Sequence, residues 1–172
     1  MQPRLVIFDL DETLVHAAAA RLAHAPDFEF GGHFVYLRPH LQTMLEAIWP
    51  EFDVAVWSSA SRPYVDAVVW HVFGKRVPLK FAWAIERCVQ RVDIRTNSYV
   101  YLKDLRKVQG QGYRLEQILM VDDSPDKVAR QPRDHIQVVP FVGDPGDRAL
   151  LELPARLAHA FTTTSTGARS EF

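Results

Sequence analysis

The sequence predicts an α/β fold with a doubly wound, mainly parallel sheet and a small β-hairpin insert. Three short apolar segments rich in β-branched residues are typical of buried strands: residues 5–8, 53–57 and 117–121. Segments with apolar residues at helical spacing lie between them, as in residues 41–48 after Pro39. Because strands that alternate with helices are joined by right-handed crossovers, we expect the strands to pair in parallel.

Local patterns predict the remaining elements. Gly31-Gly32 joins two short extended segments, which indicates a β-hairpin of residues 28–30 and 33–37. Residues 17–23, before this hairpin, suit a short helix or an ordered loop. Further along the chain we expect a helix 63–73, an extended segment 79–85, a polar loop 90–98, a short helix 101–109 with Lys103 near its start, a helix capped by Ser124, a strand 136–141 and a closing helix 147–161.

Length and composition predict one soluble domain. We assign residues 1–161 to a single domain and expect 162–172, which are rich in Thr and Ser, to form a disordered tail. The formal net charge of −1 argues against broad nonspecific binding of nucleic acid. The single cysteine, Cys88, excludes an internal disulfide and suits a reducing compartment. No apolar stretch has the length of a membrane span, so we expect a cytoplasmic protein without a membrane partner.

Acidic residues follow two of the three apolar strands. Asp9 and Asp11 come after the first strand, and their spacing of two places both side chains on the same side of the backbone. The pair Asp122-Asp123 follows the third strand, and Ser58 follows the second. Because ligands of open α/β sheets bind beyond the carboxyl ends of the strands, we expect these residues to surround one site. Capping of a following helix would account for Asp11 but not for Asp9 at the end of an apolar strand.

Converging carboxylates repel one another unless a cation lies among them. Carboxylate oxygens together with water and phosphate oxygens are the ligands that suit Mg²⁺. Lys103, on the segment before the third strand, and the Ser58 hydroxyl could contact the oxygens of a phosphoryl group. An Asp carboxylate can also attack phosphorus and form an aspartyl-phosphate. The pattern therefore predicts metal-assisted phosphoryl transfer.

Four motifs in order carry a family resemblance that covers roughly residues 4–160. The segment Asp9-Leu10-Asp11-Glu12-Thr13-Leu14-Val15 resembles the signature of haloacid dehalogenase (HAD) superfamily phosphatases. The most similar branch contains RNA polymerase II CTD phosphatases and NLI-interacting-factor-like proteins. The likeness continues through Tyr36-Leu37-Arg38-Pro39-His40, Trp57-Ser58-Ser59-Ala60 with Tyr64 and Asp66, Tyr101-Leu102-Lys103-Asp104-Leu105, and Val121-Asp122-Asp123-Ser124-Pro125.

The resemblance implies a role for each motif residue. Asp9 would be the nucleophile and Asp11 the general acid/base, with the Asp11 backbone carbonyl touching the metal. Lys103 would stabilise the transferring phosphoryl group. The residues expected to bind substrate are Thr13, Ser58, Ser59 and Lys103, and those expected at the Mg²⁺ ion are Asp9, Asp11, Asp122 and Asp123.

The resemblance also implies a HAD-type, Rossmann-like hydrolase, although it does not identify the substrate. The segments between motifs are too short for a large cap domain, and an open site favours a macromolecular phosphate. We therefore expect a Mg²⁺-dependent phosphomonoester phosphatase that works through an aspartyl-phosphate intermediate and acts on phosphoserine or phosphothreonine of a protein, or on another macromolecular phosphate. The alternatives are nucleic-acid phosphate ends or small metabolites as substrates, and a non-catalytic binding module on the same fold. The sequence leaves the oligomeric state open.

Three arginines lie in the segment between residues 77 and 100, where the resemblance is weakest. Arg87, Arg91 and Arg95 are spaced by four. They are either a solvated helical face or contacts for an anionic substrate, and the sequence does not decide between the two.

Overall fold

The computed structural model describes residues 3–166, and the side chains as far as Thr163. Ten strands and three α-helices follow one another within these described residues. In order they are β1 Leu5–Phe8, β2 Val15–Ala18, β3 Phe28–Phe30, β4 His33–Leu37, α1 Leu41–Ile48, β5 Asp53–Trp57, α2 Arg62–Val72, β6 Leu79–Trp83, β7 Val89–Asp93, β8 Ser98–Leu102, β9 Ile118–Asp122, β10 His135–Gln137 and α3 Ala149–Thr166.

The central sheet has five parallel strands in the order β10-β9-β1-β5-β6. Strand β1 lies in the middle, where Phe8 pairs with Val56 on one side and Val121 on the other. Val6 and Phe8 pack into one buried apolar cluster, while Leu5 and Ile7 pack into a second. Because alternate residues of β1 enter two different clusters, both faces of the sheet are covered. The predicted doubly wound, mainly parallel α/β fold is confirmed.

A three-stranded antiparallel sheet, β2-β4-β3, stands beside the central sheet. The predicted hairpin of β3 and β4 is present, and Gly31 and Gly32 both have positive φ, which its turn requires. The expectation of a helix or loop at residues 17–23 was wrong at its start, because β2 extends to Ala18. There Ala18 pairs with Phe34 of β4, so strand pairing replaces the local preference of alanine for helix.

The segment between β6 and β9 departs most from the sequence predictions. The predicted loop 90–98 is largely a two-stranded hairpin, β7–β8, whose turn includes Asn97 at φ 50°. The predicted helix 101–109 is instead the end of β8 followed by a 3₁₀ helix, Leu105–Gln111. Lys103 therefore follows a strand and does not lie in a helix. The helix expected after Ser124 is one 3₁₀ turn, Pro125–Val128, and no backbone N–H of this turn donates a capping hydrogen bond to the Ser124 side chain.

The last predicted elements shift at their ends. Strand β10 ends at Gln137, four residues before the predicted end. Helix α3 continues to Thr166, so residues 162–166 of the predicted disordered tail are helical. Residues 167–172 of that tail lie outside the described residues. No helix between residues 3 and 166 combines the length and apolarity needed to cross a membrane.

A buried arginine ties the loop after β1 to the start of α3. The Arg38 side chain is fully buried and donates two hydrogen bonds of 2.9 Å to the Asp147 carboxylate. It also donates to the carbonyl oxygens of Thr13 and Val139. The Arg38 hydrogen bonds lower the pKa of Asp147. This cluster joins segments 109 residues apart at the edge of the sheet where the predicted site lies.

Replacing the acid of this pair should destabilise the fold. We expect Asp147→Asn to lower the free energy of unfolding at neutral pH by about 1.5–3 kcal/mol, because Arg38 loses its charged acceptor. Since folding lowers the pKa of Asp147, its contribution is present above the unfolded value of 3.8 and is lost as the pH falls through the folded value. Urea denaturation of the wild-type and Asp147→Asn proteins, from neutral pH to below pH 3.8, should show that the difference between their free energies of unfolding becomes smaller in acid. Asp144→Asn, at an exposed acid nearby, is the control, and an equal effect there would contradict the assignment.

Candidate active site

The loop after β1 carries the first two acids at the carboxyl edge of the sheet. The Leu10 carbonyl accepts hydrogen bonds from the backbone N–H groups of Thr13, Leu14 and Val15, which folds the chain into a tight turn. The Asp9 N–H continues the sheet by donating to the Val121 carbonyl. Asp9 is therefore held as rigidly as a strand residue, and its side chain is buried.

A buried lysine lies between acids from two strands. The Lys103 ammonium donates to Asp9 Oδ1 and to Asp122 Oδ2, each at 2.6 Å, and all three side chains are at least 99% buried. Burial alone would disfavour the charged lysine, but the two carboxylates outweigh that penalty and raise the pKa of Lys103. The geometry thus places a fixed positive charge against the candidate nucleophile.

Hydrogen bonds on both sides of Lys103 fix its position. The Lys103 N–H donates to the Lys127 carbonyl at 2.7 Å, and the Leu105 N–H donates to Gln131 Oε1 at 2.9 Å. Asp104, the next residue, has a carboxylate whose pKa is lowered chiefly by its hydrogen bond from Arg106. Three side chains donate to that carboxylate: Arg106, Arg130 and Gln131. Lys103 is therefore preorganised by its neighbours in sequence.

The acids retain oxygen atoms that could bind a cation. Asp9, Asp122 and Asp123 each offer one carboxylate oxygen, and these atoms all lie within 4.8 Å of one another. Asp9 Oδ2 and Asp123 Oδ1 are buried and have no hydrogen-bond partner. Buried acceptors are costly unless they are satisfied, and oxygen-only sites suit hard divalent cations. The donor set therefore fits a divalent metal ion.

Asp11 stands apart from that cluster of carboxylates. Its Oδ1 accepts a 2.5 Å hydrogen bond from the Tyr64 hydroxyl of α2. Burial raises the pKa of Asp11, while the Tyr64 hydrogen bond opposes this rise. Tyr64 has no role expected from the sequence. Its position six residues after Ser58 signals that it lies near the same edge, but only the packing of α2 shows that it reaches Asp11.

The hydroxyl residues lie at the same edge with different contacts. Ser58, two residues beyond the Val56–Phe8 pair, is buried, and its Oγ accepts from the Ala60 N–H at 3.0 Å. Ser59 is partly exposed beside it. Thr13 Oγ1 accepts from the Asp123 N–H at 3.2 Å, so Thr13 helps to position an acid of the metal cluster.

The structure adds a second lysine that sequence reasoning missed. Lys127 Nζ lies 3.9 Å from Asp9 Oδ2, the oxygen without a hydrogen-bond partner. The Lys127 side chain is 27% exposed, so a ligand at the site could reach it. No spacing in the sequence marks this residue, because it reaches Asp9 only through the short 3₁₀ turn after Ser124.

Comparison with known proteins identifies the relatives of this chain. The family model for NLI interacting factor-like phosphatases matches residues 4–166. CTD small phosphatase-like protein 1 of Caenorhabditis elegans is 30% identical over 164 residues, which are 91% of this chain and 31% of that protein. The CTD small phosphatase-like protein of Homo sapiens is 31% identical over 163 residues, 87% of this chain and 53% of that protein. The chain thus spans about half the length of these relatives or less.

Solved structures show the same fold at low sequence identity. Fcp1, described as an essential RNA polymerase II CTD phosphatase, has a TM-score of 0.63 at 15% identity, and the match covers 96% of this chain and 50% of that one. A haloacid dehalogenase-like family hydrolase from Xanthomonas campestris has a TM-score of 0.59 at 11% identity, with 95% and 98% of the two chains covered. These likenesses support the HAD-type architecture expected from the sequence.

Removing the buried ammonium should destabilise the protein. We expect Lys103→Met to lower the free energy of unfolding by about 3–5 kcal/mol, because Asp9 and Asp122 are left as buried charges without their shared partner. A divalent cation should restore part of this loss by binding the acids in the folded state. Denaturation with and without the cation measures both effects. The matched control is Lys107→Met, at an exposed lysine, where a change within about 0.5 kcal/mol is expected. An equally small change in Lys103→Met would show that the buried triad contributes little.

Proposed function

The chain belongs to the NLI interacting factor-like phosphatase family, and from this premise we propose that it hydrolyses phosphate monoesters with the help of Mg²⁺. The observation that carries the proposal is the pairing of Asp9 with the buried Lys103 ammonium while Asp9 Oδ2 stays without a hydrogen-bond partner. A carboxylate held in this way has one oxygen fixed by a cation and the other available to a ligand.

Asp9 acts as the nucleophile in the proposed reaction. One of its carboxylate oxygens forms a bond to phosphorus while the bond from phosphorus to the ester oxygen breaks, which leaves an aspartyl-phosphate. The departing oxygen takes a proton from the Asp11 carboxyl group. Asp11 then accepts a proton from the water molecule that attacks phosphorus, and inorganic phosphate leaves as the Asp9 carboxylate is restored. Tyr64 orients Asp11 for both proton transfers.

The cations of the site hold the phosphoryl group during these steps. The Lys103 ammonium, next to Asp9, offsets the negative charge on the phosphoryl oxygens, and the Ser58 hydroxyl is a further donor at this edge. Asp9, Asp122, Asp123 and the Asp11 carbonyl would hold Mg²⁺, which when bound neutralises phosphoryl charge and orients the phosphate.

We infer that the substrate is a protein that carries phosphoserine or phosphothreonine. Within residues 3–166, the sheets outside the central one are the small sheet β2-β4-β3 and the hairpin β7–β8, and neither is large enough to be a cap domain. Relatives named as CTD phosphatases support a protein substrate. Nucleic-acid phosphate ends and small metabolites are the alternative substrates. Since other relatives are named nuclear envelope phosphatases, the cytoplasmic location stays a prediction.

Loss of the nucleophile should abolish turnover. We expect Asp9→Asn to lower kcat for an aryl phosphate on the order of 10⁴-fold or more, because an amide is a poor nucleophile. Asp126→Asn, at an exposed acid four residues after Asp122, should keep the wild-type rate. Asp11→Asn should instead slow the release of phosphate, so that phosphorylated enzyme accumulates and is detected by intact mass spectrometry. Wild-type turnover in Asp9→Asn would place the nucleophile elsewhere, and inactive wild-type protein on all three substrate classes would favour the non-catalytic module.

Metal removal provides an independent test. Excess chelator should abolish turnover, and Mg²⁺ should restore it. Binding of Mg²⁺ to the folded state should also raise the melting temperature. At a free Mg²⁺ concentration of one hundred times Kd, the added free energy of unfolding is about 2.7 kcal/mol. Asp122→Asn should shrink this shift, while Asp126→Asn should retain it. Full activity in excess chelator would rule out the metal assignment.

A further inference from the structure

An open groove of about 510 Å³ lies between the hairpin β7–β8 and the segment that begins with the 3₁₀ turn Pro125–Val128. We call it the hairpin groove. Apolar side chains form part of its floor, and three arginines and two acids stand around it. The residues that matter here are Arg91, Arg95, Val100, Leu102, Asp126 and Arg130.

Two of the three arginines have no partner among residues 3–166. Neither the Arg91 nor the Arg95 side chain makes an ion pair or a hydrogen bond there, although both are exposed and line the groove. Arg130 differs, because its guanidinium donates to Asp104 at 2.7 Å and is thereby anchored. The helical face that the spacing allowed does not exist, since Arg91 lies on β7 and Arg95 in the following turn. The groove therefore presents two unpaired guanidinium groups beside two acids, in a protein with net charge −1.

The groove adjoins the candidate active site, because two of its residues directly precede lysines of that site. Leu102 lines it, and the next residue is Lys103. Asp126 lines it as well, and the next residue is Lys127, whose ammonium approaches Asp9. Arg91 pairs with Val100, two residues before Leu102 along β8, which is about 7 Å of strand. An extended peptide covers about 10 Å in three residues, so a chain bound at Asp9 could reach Arg91.

We propose that the hairpin groove binds acidic side chains of a substrate peptide, three or more residues from the phosphorylated one. This inference rests on the proposed phosphatase function and specifies its substrate as an acidic phosphopeptide. Arginine pairs with carboxylates in fixed geometry, and two unpaired guanidinium groups provide that capacity.

The lining favours a peptide over a nucleic acid. Asp93 and Asp126 stand among the arginines and would repel a continuous polyanion, whereas isolated carboxylates can bind between them. Ile94 lines the groove and is 91% exposed, and such a side chain suits contact with an apolar residue of a peptide. Carboxylates separated by apolar residues match this surface.

The test compares phosphopeptides that differ only in the charge of residues at a distance from the phosphoserine. Three phosphoserine peptides are used: one with alanine flanks, one with three glutamates that begin three residues after the phosphoserine, and one with the same glutamates before it. An aryl phosphate reports on the catalytic site alone. We expect wild-type protein to prefer one acidic peptide over the alanine peptide by about tenfold in kcat/KM, mainly through KM, as two partly exposed charge pairs allow.

Two double variants that lose the same charge distinguish binding in the groove from a general effect of the protein's positive charge. Arg91→Gln/Arg95→Gln should abolish the preference for the acidic peptide and leave aryl phosphate turnover unchanged. Lys75→Gln/Arg76→Gln changes two exposed cations that follow α2, and it should retain the preference. A preference that survives in the arginine variant, or that falls equally in both variants, would overturn the proposal.

A binding measurement keeps this test independent of turnover. Fluorescence anisotropy of the unphosphorylated acidic peptide should show weaker binding to Arg91→Gln/Arg95→Gln than to wild-type protein. Arginine-dependent binding of the acidic peptide without any phosphatase activity would refute the proposed function but would support the groove as a site for acidic peptides. Aryl phosphate turnover without any preference for the acidic peptides would refute the groove alone. Tighter, arginine-dependent binding of a 5′-phosphorylated oligothymidylate than of the peptide would assign the groove to nucleic acid and overturn the proposal.

Discussion

The shared ion pair of Lys103 with Asp9 and Asp122 is the interaction on which the rest of the site depends. Parallel strands bring the acids of β1 and β9 to one edge of the sheet, where they are buried together. Burying a charge costs several kcal/mol, and this cost is offset only by an opposite charge with good geometry. Lys103 supplies that charge at 2.6 Å from both carboxylates. The same geometry leaves one buried Asp9 oxygen without a hydrogen-bond partner, so the arrangement that stabilises the acids also keeps an acceptor for a ligand.

Two hydrogen-bonded clusters hold the segments that supply this triad. Arg38 joins the Thr13 carbonyl to Asp147 at the start of α3, which fixes the loop between Asp9 and β2. Asp104 binds Arg106, Arg130 and Gln131, which fixes the segment after Lys103. The Arg38 side chain and the Asp104 carboxylate are both buried, although Arg106 and Arg130 are exposed, and each buried group has its hydrogen-bond partners. The precision of the site thus comes from residues outside the catalytic centre.

The sequence was sufficient for the core strands and for the residues that follow them. Strands β1, β5 and β9 are short, apolar and buried on both faces, so their composition alone marks them, and the polar residues that follow them stand out. The hairpin β7–β8 was missed because both of its faces carry polar residues and no alternation marks a buried side. The contacts of Tyr64 and Lys127 could not be predicted either, because each depends on how a helical segment packs against the loop of Asp9 and Asp11. Local sequence encodes which residues reach the edge of the sheet, whereas the tertiary packing decides what each side chain touches there.

The division between core and hairpin also separates chemistry from substrate choice. The proposed catalytic residues lie on or beside strands whose side chains are buried, and changes there disturb the fold. The hairpin groove is exposed, and substitutions at exposed positions usually alter stability by less than about 0.5 kcal/mol. Arg130 is the one described groove residue that is bonded to Asp104, beside Lys103. An anion in the groove that attracted Arg130 would still leave Asp104 with Arg106 and Gln131 as donors. Lys103 would therefore keep its place while the groove is occupied, so a peptide could be recognised by its acidic residues without loosening the site that acts on its phosphate.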